Sequence, residues 1–168
     1  MKKSILKSML LMVATSLMFV SCNPFVIQDW APIEIYVKVY NTEGQNLLDS
    51  TTLNNFLNKE ISAEWRGEAY VADTISLWEK QHMTRTYLPM MNGLMYVTKD
   101  GEQMLYFGEI AGDGDYDDEP LTIHWPDGST DFITIKNKAH LSSADRKFKL
   151  NGEVVAKDTT RPVISIVK

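Results

Sequence analysis

Residues 147–156 read KFKLNGEVVA: two short runs in which apolar and polar side chains alternate, joined by Asn151 and Gly152. Alternation with period two puts every second side chain on one face, as in a half-buried strand. Asn-Gly supplies the positive φ that a type I′ turn needs at both central positions, and that turn matches the twist of a two-residue hairpin. The stretch therefore predicts two antiparallel strands in a tight hairpin.

The same pattern recurs upstream. EISAEW (60–65) meets EAYVAD (68–73) across Arg66 and Gly67, and LMYVT (94–98) meets QMLYFGEI (103–110) across KDGE. LTIHW (121–125) meets DFITI (131–135) across PDGS, where Pro126 presets φ, Asp127 and Gly128 make the bend, and Trp125 is expected to pack at a strand end. Nearer the start, IEIYVKVY (33–40) sets Ile33, Ile35, Val37 and Val39 against Glu34, Tyr36, Lys38 and Tyr40. At the end, RPVISIVK (161–168) opens on Pro162, which suits an edge strand or the first residue of one.

Two stretches resist this reading. In LLDSTTLNNFLNKE (47–60), Asp49 or Ser50 could cap a short helix with Leu53, Phe56 and Leu57 on one side. Three asparagines oppose it, so a loop with at most one helical turn is expected. Residues 72–93 show no clear period and are expected to hold a long crossover loop. After the N-terminal run no helical period exceeds about twelve residues, and no repeat of 20–50 residues is present. Hairpin-linked strands imply mainly antiparallel pairing. The expected fold is all-β: one antiparallel β-sandwich of about eight to ten strands, immunoglobulin-like or transthyretin-like.

The first residues obey different rules. Lys2, Lys3 and Lys7 form a cationic head, and Ile5–Val20 is mostly Leu, Met, Val and Ala, the layout of an export signal. As a helix the run would reach only ~24 Å, against a hydrocarbon core of ~30 Å. A cleaved signal fits better than a membrane span. It ends at Cys22, the one cysteine of the chain.

The residues FVSC (19–22) resemble the lipobox of bacterial lipoprotein precursors, with Ser21 as the small residue before the cut and Phe19 departing from the usual leucine. The resemblance implies lipid on the Cys22 thiol and a mature chain that begins there. The alternative is an ordinary secretory signal with an incidental thiol. Several acyl chains at ~0.8 kcal/mol per buried methylene would hold the protein on a membrane without spanning it. Asn23, where Asp would resemble an inner-membrane retention signal, implies sorting to the outer membrane. The tether NPFVIQDW (23–30) lacks the acidic run of many cell-surface lipoproteins, so either leaflet fits.

Three segments are thus expected: a signal over 1–21, a lipidated tether over 22–31 and a β-sandwich over 32–168. Loss of the signal leaves 147 residues, with 14 Lys and Arg against 22 Asp and Glu, a formal charge of −8. That is enough chain for one core. A body this acidic is not expected to seek nucleic acid or anionic lipid. With Cys22 lipidated, neither a disulfide nor a cysteine nucleophile is expected.

LYFGEI, an acidic stretch, then LTIHWPDGSTDFITI, together with the lipobox and IYVKVYNTEGQNLL, resemble small uncharacterised lipoproteins of gut Bacteroidetes. The resemblance covers most of the mature chain. It implies a tethered β-domain and carries no activity with it.

Candidate sites are sparse. In AGDGDYDDEP (111–120), Asp113, Asp115 and Asp117 alternate, with Asp118 and Glu119 behind them. Such carboxylates can converge on Ca²⁺, which takes six to eight oxygens. The EF-hand pattern fails, because Asp118 stands where Gly is required and His124 where a bidentate Glu belongs. The competing reading is a solvated loop whose Gly and Asp serve turn geometry. His82, His124 and His140 share no metal-ligand spacing. His140, Ser142, Ser143 and Asp145 are sequence neighbours, whereas the members of a catalytic triad usually come from separate elements. Aromatic residues in a strand-rich chain mostly fill cores and cross-strand pairs. If a stacking platform for a glycan exists, Trp78 and Tyr87 are its candidates, since they flank the illegible segment.

The expected function is a non-catalytic, lipid-anchored envelope protein, a binding or assembly accessory for a glycan or another envelope protein. No cofactor is expected beyond calcium in the acidic stretch. The alternatives are a calcium-binding adhesion module and a glycosidase-like hydrolase using two carboxylates from 113–119, which such chemistry sets about 5–10 Å apart.

Overall fold

The computed structural model describes residues 31–57, 59–72, 93–140 and 143–168. Ten strands run through them: β1 Ile33–Tyr40, β2 Ser62–Trp65, β3 Glu68–Val71, β4 Leu94–Lys99, β5 Glu102–Ile110, β6 Tyr116–His124, β7 Thr130–Ala139, β8 Ala144–Leu150, β9 Glu153–Lys157 and β10 Val163–Val167. They form a four-stranded sheet in the order β10-β1-β5-β4 and a six-stranded sheet in the order β3-β2-β6-β7-β8-β9. The two sheets pack face to face as a β-sandwich, and no helix occurs among the described residues.

The hairpins stand where turn chemistry put them. Arg66 and Gly67 (φ 53° and 82°), Asp100 and Gly101 (54° and 79°) and Asn151 and Gly152 (50° and 94°) all have positive φ at both positions. Each pair joins strands whose flanking residues are in register: Trp65 with Glu68, Lys99 with Glu102, and Leu150 with Glu153. The Pro126–Gly128 turn is a three-residue hairpin loop closed by Gly128 N–H donating to the Trp125 carbonyl (3.0 Å) and Trp125 N–H to the Ser129 carbonyl (2.9 Å).

Alternation fills the core. Ile33, Ile35, Val37 and Val39 of β1 are buried, as are Ile133 and Ile135 of β7 and Ile164 and Ile166 of β10. Trp65 stacks edge-on against Phe107 and Tyr116, and Trp125 lies against Phe56. Both tryptophans are therefore core residues.

Two expectations are refined and one is corrected. β10 pairs with β1 in parallel, Tyr36 opposite Val163, so not every pairing is antiparallel. Residues 47–57 form the expected loop, without a helical turn: Leu47, Leu48 and Phe56 anchor the crossing from one sheet to the other, with Phe56 N–H donating to the Leu47 carbonyl (2.6 Å), while Leu53 is 81% exposed. Asp49 caps a local turn instead, accepting from the Thr51 N–H (2.8 Å) and hydroxyl (2.9 Å). Finally, the acidic stretch is only half loop, because β6 already begins at Tyr116.

Candidate functional site

Tyr116 and Leu121 both point into the core although they are five positions apart. Strict alternation would place them on opposite faces. The structure resolves the conflict with a bulge, in which Tyr116 pairs with Asn137 and Glu119 with Ile135, and Asp118 takes φ 57°. Asp117 and Asp118 are thereby both turned outward.

Each of the three carboxylates of β6 meets a cation on another element: Lys136 on β7, Lys149 on β8 and Arg66 in the β2–β3 turn. Asp117 accepts from Lys136 (2.8 Å), Asp118 from Lys149 (2.8 and 2.9 Å), and Glu119 lies 3.7 Å from Arg66. The hydrogen bond from Lys149 holds the Asp118 carboxyl below its ordinary range, against the opposing effect of desolvation. Asp115 accepts from the Ala139 N–H (3.3 Å), and Asp113 is exposed in the loop. Of the five acidic residues weighed as calcium ligands, Asp113 and Asp115 thus lie in the loop before β6, while Asp117, Asp118 and Glu119 lie on the strand, each beside a different cation. Among the described residues no group of three or more His, Cys, Asp or Glu is arranged to hold a metal ion.

Behind this stretch, Asn137 on β7 is buried and donates through Nδ2 to the carbonyls of Gly112 (3.2 Å) and Gly114 (2.5 Å). Two acceptors at one end of the amide fix its orientation. The Tyr116 hydroxyl donates to the Ala111 carbonyl (3.1 Å), with its ring against Gly114. These bonds tie the β5–β6 loop down. A shallow cavity of ≈ 320 Å³ lies alongside, lined by Asp115, Tyr116, Asp117, Lys136, Asn137 and Lys138.

At the opposite end of β7 stands a second polar residue on the inner face, Asp131. Its Oδ2 accepts from Trp125 Nε1 (2.7 Å) and Lys168 Nζ (2.5 Å), and its Oδ1 accepts from Asn151 Nδ2 (2.7 Å). Lys168 Nζ also donates to Ser129 Oγ (2.7 Å) and sits 5.1 Å from the centre of the Trp125 ring. Its backbone N–H donates to the Tyr40 carbonyl (2.8 Å), so this one residue joins the two sheets. Burial raises the Asp131 pKa, but the hydrogen bonds from Lys168, Asn151 and Trp125 outweigh it and hold the carboxyl below its ordinary range. Sequence reasoning missed this clasp. The available signal was parity: Asp131 occupies an inward slot in the series Asp131, Ile133, Ile135.

A third cluster lies on the outer face of the four-stranded sheet. Glu102 accepts from Lys38 (2.6 Å) and from the Tyr40 hydroxyl, and Lys99 sits 3.9 Å over the Tyr36 ring, itself 5.3 Å from Tyr106. Hydrogen bonds from Lys38 and Tyr40 lower the Glu102 pKa.

His140 Nε2 lies 3.0 Å from Asp145 Oδ2 at the exposed mouth of the β7–β8 hairpin, and the His140 N–H donates to the Ser143 carbonyl (2.8 Å). His124 is exposed on β6. Cys22, Trp78, Tyr87, His82 and Ser142 lie outside the described residues.

Compared with known proteins, the chain matches no family model, no curated protein and no solved structure.

Proposed function

We propose that this chain is a non-catalytic, lipid-anchored protein of the bacterial outer membrane, serving there as a binding or assembly accessory. The observation that carries the reading is the N-terminal arrangement: a lysine head, an apolar run too short to span and FVSC with the sole cysteine, eleven positions ahead of the first strand at Ile33. A short tether between lipid and sandwich would hold the body close to the membrane surface.

The chemistry of the body supports a structural or binding role. The buried charge of Asp131 is engaged in joining the sheets, and the carboxylates of β6 sit beside Lys136, Lys149 and Arg66. Such pairs cancel charge locally, and the acidic excess lies on the body as a whole. A partner would be a glycan or another envelope protein, and the formal charge of −8 argues against nucleic acid.

Growth of the native host with an alkynyl palmitate tests the anchoring. The account expects label on this protein and its recovery with outer-membrane vesicles, both abolished by Cys22→Ser. Unlabelled protein, or label that survives Cys22→Ser, contradicts it.

A further inference from the structure

The sandwich has four edge strands among the described residues: β3 and β9 in one sheet, β4 and β10 in the other. Exposed edges invite pairing, and proteins blunt them with short strands, bulges and charges. β3 has four residues and begins at Glu68. β4 ends at Thr98 and Lys99, and β9 carries a register shift and is flanked by Glu153 and Lys157. β10, VISIV, has no charge, proline or bulge within its five residues.

The direction of its free backbone groups follows from its parallel pairing with β1. Tyr36 N–H donates to the Pro162 carbonyl (2.9 Å) and Lys168 N–H to the Tyr40 carbonyl (2.8 Å). Even-numbered residues therefore bond β1, which turns the N–H and C=O groups of Val163, Ser165 and Val167 toward the open edge. The side chains of the same three residues lie on the outer face, with Val163 42% and Val167 64% exposed.

The strand is also a palindrome: Val163, Ile164, Ser165, Ile166, Val167. We propose that β10 pairs with β10 of a second copy of this chain, antiparallel, about a two-fold axis at Ser165. In that register Val163 faces Val167 of the other copy, Ile164 faces its Ile166, and the two Ser165 face each other. All three outward-bonding residues then oppose outward-bonding residues, which completes six hydrogen bonds and gives an eight-stranded sheet. The exposed valines become cross-strand pairs. An isologous interface needs this kind of self-complementarity. Neither cation beside the strand is left to repel its copy across the axis: Lys168 has its ammonium turned to Asp131, and Lys38, opposite Ser165 on β1, is paired with Glu102.

Five residues of edge pairing bury less than the ~1,600 Å² of a standard interface. The dimer is therefore weak in solution, and confinement on one membrane would favour it.

Hydrogen-bonded antiparallel partners have Cα atoms about 5.5 Å apart, within disulfide range. The test is oxidative crosslinking of the full chain in host membranes, with Ser165→Cys compared against Glu64→Cys on an outer strand face and against the native chain, which reports any link through Cys22. The proposal expects a Ser165–Ser165-position disulfide in at least half the Ser165→Cys protein and only background for the other two. In sedimentation of the purified full chain up to about 500 µM, Ser165→Lys should weaken the dimer at least tenfold with an unchanged melting temperature, while Ser165→Thr should retain it. Crosslinking no greater than that of Glu64→Cys, a monomer throughout the concentration series, or a dimer indifferent to Ser165→Lys overturns the proposal.

Discussion

Replacing Asp131 with Ala removes the acceptor for three donors at once. Two are neutral, Trp125 Nε1 and Asn151 Nδ2, and one is the Lys168 ammonium. All three bonds end on one ionised carboxylate, where hydrogen bonds contribute about 1.5–3 kcal/mol each and overlap rather than add. Breaking a fully buried ion pair costs about 3–5 kcal/mol. The Lys168 side chain keeps 12% of its surface in contact with water, so it recovers part of its solvation. These considerations place the loss at about 3 kcal/mol. For a domain of this size 1 kcal/mol corresponds to about 3–5 °C, so Tm should fall by about 10 °C. Asp131→Asn, which keeps the shape but not the charge, should fall by less. In a double-mutant cycle with Lys168→Met, the Asp131→Asn pair should show coupling of about 1–2 kcal/mol. The same clasp sets an acid response. Because the folded-state pKa of Asp131 is depressed, its stabilisation is present above the unfolded Asp pKa of about 3.9 and is lost as pH falls through the folded value. Thermal melts of the wild type should drop below about pH 4, and the Asp131→Asn profile should be flatter there. A Tm within about 2 °C of wild type for Asp131→Ala at pH 7, or a vanishing coupling with Lys168, would refute the reasoning.

Other expectations follow from single contacts. Asn137→Ala takes the donor from the half-buried Gly114 carbonyl and leaves the buried Gly112 carbonyl only the longer bond from Arg146 (3.5 Å), and chemical denaturation should report a loss of about 2 kcal/mol. Phe148→Ala empties a fully buried site on β8 and should cost about 3–5 kcal/mol by the same assay. Because Asp117, Asp118 and Glu119 face Lys136, Lys149 and Arg66, millimolar Ca²⁺ should move Tm by less than about 1 °C. A rise of several degrees would mean that these carboxylates exchange their cations for the metal.

The strands and hairpins were legible because their causes are local. Asn151-Gly152, Arg66-Gly67 and Asp100-Gly101 specify turn and register within a few residues, and alternation in Ile33–Tyr40 and Val163–Val167 specifies the buried face. Non-local facts were not legible. Nothing in RPVISIVK says that its neighbour is β1 or that they run parallel, since that pairing depends on which edge the packed sheets leave free. The acidic stretch read as a loop because Asp and Gly favour turns. A bulge and three basic partners on other elements override that preference from Tyr116 onward. Asp131 went unnoticed because a lone carboxylate in an inward slot is tolerable only when donors such as Trp125, Asn151 and Lys168 converge on it, and they come from three separate places in the chain.

Anchoring is the claim on which the cellular reading stands, and intact-mass spectrometry of the protein purified from its native host tests it most directly. The account predicts a chain that starts at Cys22 and carries the added mass of its acyl groups on that residue. A bare thiol at Cys22, or a secreted chain without lipid, would contradict it.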